Sequence, residues 1–334
     1  MTTAKRATLA DVAAAAGVSK MTASRALRGA SDVSRSSIDK VQKAARDIGY
    51  VGNHLAMSLS SRRSNLIGVV VPGLTNIVFA EVLSGIAAAI AGSGMQPVFG
   101  TTDYDPEREY DVIRNMLSWN PSGLIVTGLD QPQETRRLLA AADIPVVQIM
   151  DLDGDPVDAC VGLSHHAAGA AMAEALIRSG RRAFGYAGCG LERDTRARKR
   201  LAGFTETLSR HGLAFRATKT RETLSTTGAG RALTKSLLAE APDLDCIYTS
   251  NDDVAAGCAY HCIASGVPVP EQVLIAGFNG LEFVENLPVP VATTITPRRE
   301  IGAEAARIIL TSGGGDDRET GRRITFTPKI ELGL

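Results

Sequence analysis

The sequence predicts two fold classes in one chain: a small all-α unit of three short helices, then a two-lobed α/β body built on doubly wound parallel sheets. Three observations carry that expectation. The composition, 44% hydrophobic with only 4% aromatic and 33 Gly, suits helices packed on parallel sheets better than a β-sandwich. Charge is uneven: the chain is neutral overall, but residues 1–64 hold eleven Lys and Arg against four Asp, a net +7 balanced by −7 in the remainder. From Asn65 onward, short apolar runs alternate with helical stretches, the pattern of a βα repeat.

In the first unit, Thr8 and Asp11 have the spacing of a capping box. The helix it opens carries Leu9, Val12, Ala13 and Ala16 on one face and stops at Gly17. Ser19 then caps a second helix, Lys20–Arg28, which buries Ala23, Ala26 and Leu27 and turns Lys20, Met21, Thr22, Ser24 and Arg25 outward. The turn between them is so short that the helices must cross, with Val18 filling the angle. A third helix runs from a Ser34 cap through Ile38, Val41, Ala45 and Ile48 to Gly49. A short basic helix alone is usually a solvated face. The tight turn, small core residues, net positive charge and outward Ser, Thr and Arg together point to a helix-turn-helix that reads a DNA groove. Asn53–Ser60 has the pattern of a short Asn-capped helix that would fold only when held.

In the body, strands are expected at Leu66–Val71, Gln96–Gly100, Gly123–Val126 and Val146–Met150, with helices near 78–91, 106–118 and 132–142. The pattern resumes with strands at Asp158–Leu163, Ala183–Ala187, Cys246–Thr249 and Val273–Ala276, and helices near 165–179, 195–211, 226–240 and 252–265. Such sheets bind ligands beyond the carboxyl ends of their strands, where Asn76, Asp103, Asp151, Asn251, Asp252 and Asn279 fall. Arg196 and Arg200, one helical turn apart, would share a face, with Arg198 and Lys199 pointing elsewhere. Two guanidiniums at a cleft favour an anionic ligand, a sugar acid over a neutral sugar.

Enzyme chemistry finds no support: there is no P-loop, Rossmann glycine spacing or nucleophile elbow. Cys258 and Cys262, one turn apart, read as core thiols, and His165-His166 as an exposed pair at a helix start. All five Cys fall late and without paired spacing, as in reduced proteins, and the loop Ser312–Asp317 reads as plain surface. Neither a signal-peptide core nor a membrane-length apolar run is found, so the expectation is cytoplasmic, with no cofactor and no metal.

The stretch from Thr8 to Arg25 (TLADVAAAAGVSKMTASR), with Val33-Ser34, Gly49-Tyr50 and Asn53, resembles the headpiece of the lactose/galactose-repressor family. The resemblance continues through Leu74–Gly85, Arg200-Leu-Ala-Gly-Phe204, Ser250-Asn-Asp-Asp253 and Ala276-Gly-Phe-Asn279, nearly end to end, and its spelling is closest to repressors of gluconate utilisation. It implies a headpiece over 1–52, a hinge over 53–64 and a ligand-binding and dimerisation domain over 65–334. It also implies that Lys20, Met21 and Arg25 enter the major groove, with Lys20 and Arg25 the better partners for guanine edges. Thr8, Ser19, Thr22, Ser24, Asn53 and Leu59 complete the DNA side, Leu59 as a minor-groove wedge ahead of Arg62 and Arg63. On the ligand side it implies Asn76, Phe79, Arg200, Asn251 and Asn279, and less directly Asp151; Arg196 joins them by its place one turn before Arg200, and Arg200, with Arg196 beside it, is expected to hold the effector's carboxylate. The protein expected is a homodimeric repressor on a near-palindromic operator, without heptads for a tetramer, controlled by an effector such as gluconate or 2-ketogluconate. A neutral-sugar or nucleobase sensor, or a sugar-binding module without regulatory output, are the alternatives.

Overall fold

A computed structural model describes residues 7–27, 30, 32–50, 64–74, 76–312 and 321–333. The chain divides into two compact units, residues 1–64 and 65–334. The expected hinge helix, with Asn53, Leu59, Arg62 and Arg63, lies outside the described residues, as does the loop after Ser312.

In the first unit α1 (Leu9–Ala16), α2 (Lys20–Leu27) and α3 (Arg35–Asp47) enclose a small core. The capping box forms: Asp11 N donates to the Thr8 hydroxyl at 3.3 Å, and Thr8 N donates to the Asp11 carboxylate at 2.8 Å. Gly17 ends α1 in the left-handed region, at φ 66°, which costs glycine nothing. Val12, Ala13, Ala23, Ala26, Val41, Ala44 and Ala45 are buried together, with Val18 packed against them. Small alanines let such short helices approach closely. Ile48, expected in this core, is instead exposed, because α3 ends at Asp47 and the chain turns away from the helical period there.

The second unit holds two six-stranded sheets. In the first lobe β1 (Leu66–Val71), β2 (Gln96–Thr101), β3 (Gly123–Thr127), β4 (Val146–Ile149) and β5 (Ala159–Gly162) are joined by β11 (Arg322–Thr325). Their order is β11-β5-β4-β3-β1-β2, all parallel. In the second lobe β6 (Phe184–Cys189), β7 (Phe215–Arg221), β8 (Cys246–Thr249), β9 (Leu274–Ala276) and β10 (Val291–Ile295) are joined by β12 (Lys329–Glu331), in the order β12-β10-β9-β8-β6-β7. Only β12 runs antiparallel. The helices of the first lobe are α4 (Ile77–Ile90), α5 (Pro106–Leu117) and α6 (Gln133–Ala140); those of the second are α7 (His165–Arg178), α8 (Thr195–Arg210), α9 (Thr227–Glu240), α10 (Asp252–Ser265) and the short α11 (Glu282–Glu285). Then α12 (Arg298–Thr311) returns to pack on α4 in the first lobe.

The chain therefore passes between lobes after β5, after β10 and after β11. The order reverses at β1 and at β6, so the crevices between β1 and β3 and between β6 and β8 are where ligands of such sheets sit. Three helix pairs touch through reciprocal glycines: Gly85 with Gly302, Gly169 with Gly203, and Gly230 with Gly257. At each, a Cβ would strike the opposing helix backbone.

Four strands and two helices, α12 and the short α11, went unread in the sequence. β7 is an edge strand with mostly exposed residues, and β10 reads Val-Ala-Thr-Thr-Ile with Thr293 and Thr294 buried, so neither presents an apolar run. β11, β12 and α12 close the sheets from far along the chain. Cys258 and Cys262 are buried in the large apolar core that spans both lobes. No described helix is long and apolar enough to cross a membrane.

Candidate DNA-binding surface and effector cleft

The polar face of α2 presents Lys20 and Met21 exposed, with Met21 at 70% of full exposure, beside the half-buried Thr22, Ser24 and Arg25. Several of these side chains already have work within the unit. Thr22 N donates to the Ser19 hydroxyl at 3.0 Å, and the two hydroxyls are 2.8 Å apart. Thr8 is engaged with Asp11, and Arg25 pairs with Asp32. Lys20 and Met21 thus stand furthest into solvent at the start of the helix, and Arg25 follows one turn on with a carboxylate neighbour. A helix of this size with such a face fits a major groove.

The cleft is built from strand ends. Beyond β1, Asn76 caps α4 by accepting from Val78 N at 3.1 Å, and Phe79 follows, 2% exposed. Beyond β2, Asp103 and Tyr104 are both left-handed, at φ 52° and 59°, an uncommon pair for non-glycine residues. The turn brings the Tyr104 hydroxyl to the Asn76 side chain, and burial pushes that hydroxyl's pKa up. From the other lobe, Arg196 reaches over both rings, its guanidinium 6.0 Å from the Phe79 centroid and 5.9 Å from that of Tyr104. Its ion-pair partner is Asp194, at 3.7 Å. Nearby, burial pushes the Glu109 carboxyl up to about 7, although Gln131 donates to it and Arg196 draws it down.

Beyond β4, Met150 is left-handed at φ 64° and Asp151 is wholly buried, accepting from Asp153 N at 2.9 Å. Lys199 Nζ lies 2.6 Å from Asp151 and 2.7 Å from Asp130. Burial opposes the charge on Lys199, but the hydrogen bonds and charges of the two carboxylates outweigh it and hold the ammonium above its usual range.

In the second lobe Arg200 is 5% exposed, its guanidinium 4.0 Å from the centroid of the Phe278 ring. One terminal nitrogen donates to Ser250 O at 2.8 Å and the other to His165 Nδ1 at 3.0 Å, while Nε has no partner among the described residues. A guanidinium only donates, so His165 Nδ1 must accept and Nε2–H must donate, to Met150 O at 2.7 Å. Burial, with Arg200 and Arg196 close by, holds His165 neutral, well below its ordinary pKa. Asn251 caps α10 by accepting from Val254 N at 3.2 Å. Asn279, at φ 125° and 8% exposed, gives its carbonyl to Arg298.

Of the ligand-side residues named from the sequence, Asn76, Phe79, Asp151, Arg196 and Arg200 are tied together through these contacts. Asn251 adjoins the Ser250 carbonyl that Arg200 holds, and Asn279 adjoins Phe278. Two expectations need correction. Lys199 does not point away: three residues after Arg196, it shares the cleft-side face, since i+3 and i+4 both lie one turn on. His165 is not exposed: at the start of α7, where α7 and α8 are pressed together by Gly169 and Gly203, it is buried under Arg200. Tyr104, Glu109, Asp130, His165, Lys199 and Phe278 were missed as site residues. An aromatic just beyond β2 and the i+3 spacing of Lys199 were the signals available.

Residues 64–330 match the family model described as periplasmic binding proteins and sugar binding domain of the LacI family, and residues 8–53 match that of bacterial regulatory proteins, lacI family. Among curated proteins, the HTH-type transcriptional regulator GntR of Pseudomonas aeruginosa is 39% identical over 92% of this chain and 90% of its own length. The HTH-type transcriptional regulator IdnR of Escherichia coli is 32% identical over 93% of each. A crystal structure of a LacI-family transcriptional regulator from Silicibacter pomeroyi superposes with a TM-score of 0.92, at 45% identity over 98% of both chains.

Proposed function

Because the chain belongs to the lacI family of bacterial regulatory proteins and is a transcriptional regulator of that family, we propose that it is a cytoplasmic, homodimeric repressor of a near-palindromic operator, controlled by a sugar-acid effector of the gluconate type. Residues 1–52 are the headpiece, 53–64 the hinge and 65–334 the sensor and dimerisation domain. Lys20, Met21 and Arg25 contact bases, with Arg25 exchanging Asp32 for DNA; Thr8, Ser19, Thr22, Ser24 and Asn53 support that contact and Leu59 wedges the centre of the site. Pairing two headpieces on one symmetric site doubles the contacts that a single short helix makes.

One observation carries the effector reading: Arg196 enters the cleft held between two rings, with no carboxylate of the described residues nearer than the 3.7 Å of Asp194. Arg200, expected from the sequence as the main carboxylate partner, spends both terminal nitrogens on His165 and Ser250 and keeps only a buried Nε without a partner among the described residues, which leaves Arg196 the freer of the two guanidiniums. Asn76, Asn251 and Asn279 supply hydroxyl partners and Phe79 an apolar face, with the Asp151 carboxylate taken up by Lys199. The spelling of the sequence and the relatives named GntR and IdnR support the same reading. A neutral sugar is the second reading, favoured by the occupied terminal nitrogens of Arg200 and by the cleft carboxylates Glu109, Asp151 and Asp194.

A thermal-shift screen with D-gluconate, 2-ketogluconate, D-glucose and adenine separates the readings, since a ligand of the folded state stabilises it by mass action. Stabilisation by the acids alone is expected. Stabilisation by glucose alone would transfer the reading to a neutral ligand. Removing residues 1–64 should leave that shift and abolish DNA binding; operator binding retained by residues 65–334 would refute the headpiece assignment.

A further inference from the structure

Lys199 belongs to the second lobe, on α8, yet both of its partners hang from strand ends of the first: Asp130 beyond β3 and Asp151 beyond β4. Other side chains that hydrogen-bond between the lobes sit at the crossovers, and Arg196, also on α8, meets the first lobe through long ring contacts with Phe79 and Tyr104. His165 follows the passage after β5, and Arg298, which holds Glu81 and the Asn279 carbonyl, follows the passage after β10. Contacts at a crossover stay near the hinge when lobes separate; a contact carried by α8 is broken. The Lys199 side chain is 18% exposed and that of Asp151 is not exposed at all, so the pair is shielded from the screening that weakens surface bridges.

We propose that Lys199 is a specificity-determining residue: it latches the cleft shut before any effector binds, and it masks two carboxylates that would otherwise face the effector. Unmasked, Asp130 and Asp151 would repel an anion and offer acceptors to the hydroxyls of a neutral sugar. Masked, they leave Arg196 to set the sign of the ligand. The masking half of the proposal rests on the effector reading given above; the latching half does not, because it concerns the empty protein.

The test uses the full chain with spin labels at Glu107→Cys on α5 and Ser209→Cys on α8, both exposed positions in a protein whose native cysteines are buried. Without ligand, Lys199→Gln should lengthen and broaden the interlabel distance, and Lys199→Arg should keep it short. Asp130→Asn, in a loop and with a partly exposed side chain, should lengthen it to a lesser degree and covers the case in which Lys199→Gln fails to fold. Calorimetry with D-gluconate and D-glucitol as probes then reads the mask. Lys199→Gln should lower the gluconate-to-glucitol affinity ratio by about tenfold or more, the scale of losing one buried charge partner. An unchanged distance distribution in Lys199→Gln and Asp130→Asn overturns the latch, and an unchanged ratio overturns the mask. Should the unaltered protein bind neither probe, the sugar-acid reading fails, and the distance arm alone decides.

Discussion

The two guanidiniums of the cleft should behave differently when each is replaced by methionine, which keeps length and bulk but removes charge and donors. Arg200→Met strands His165 Nδ1 and the Ser250 carbonyl, bonded at 3.0 and 2.8 Å, inside the second lobe. An unsatisfied buried group costs about 1–3 kcal/mol, and the contact 4.0 Å from the Phe278 centroid adds about 2 kcal/mol in a desolvated setting. Relief from burying an arginine with no carboxylate bonded to it offsets part of that, leaving a net loss of about 2–4 kcal/mol. For a domain of this size the melting temperature falls by roughly 2–4 °C per kcal/mol, so a drop of about 5–15 °C is expected. Arg196→Met gives up the 3.7 Å pair with Asp194, worth about 0–1 kcal/mol, and two long ring contacts at 6.0 and 5.9 Å, about 0.5–1 kcal/mol each and partly kept by a methionine against the same rings, so it should melt within about 5 °C of the parent. Its effect falls on the effector: losing a charge-assisted contact of about 1.5–3 kcal/mol weakens D-gluconate by one to two orders of magnitude. Scanning calorimetry and titration calorimetry on the same preparations read both quantities. Arg196→Met binding gluconate like the parent, or Arg200→Met melting unchanged, would refute this division of roles.

Glu109→Gln tests the raised carboxyl. A group whose folded pKa stands at about 7 against 4.5 unfolded contributes stability at low pH that is lost as pH rises between those values. Glu109→Gln should therefore match the parent near pH 4.5 and exceed it above pH 7, by at most about 3 kcal/mol; an advantage that does not grow over that interval contradicts the assignment. Leu59→Ala should weaken operator binding and reduce DNA bending, read by energy transfer between labelled duplex ends, because a short side chain cannot prop open a base step. Unchanged bending would make Leu59 a packing residue. Gly203→Val drives a side chain into the His166 carbonyl and should separate α7 from α8, lowering the melting temperature by several degrees and weakening effector binding through the displaced His165; a parent-like melt would show that the helices have room to part.

Local chemistry made much of this legible. The capping box at Thr8, the left-handed stop at Gly17, the alanine core of α1 to α3, and the apolar strands β1, β3, β4 and β8 all signal themselves within a few residues. What stayed hidden depends on partners distant in the chain. β10 carries polar residues because Thr293 bonds the buried Asp252, 41 positions away, and α12 packs on α4 from across the whole second lobe. In the cleft, the pattern around Arg196 and Arg200 was visible, but not that Arg200 would spend two donors on His165 and Ser250, nor that Lys199 would cross to Asp130 and Asp151. The bonds of Arg200 need α7, α8 and the end of β8 brought together within the second lobe, and those of Lys199 exist only once the lobes face each other.

Whether a sugar acid in the cleft sets the headpiece's hold on DNA is read by one titration. Duplexes enriched from a random pool by the full chain are labelled, and their anisotropy is followed as protein is added with D-gluconate, with D-glucose, or with neither. A near-palindromic consensus is expected, with an affinity that changes about tenfold or more with gluconate, the scale of a typical coupling between sites, and stays unchanged with glucose. An affinity indifferent to gluconate, or moved equally by glucose, would contradict a sugar-acid effector.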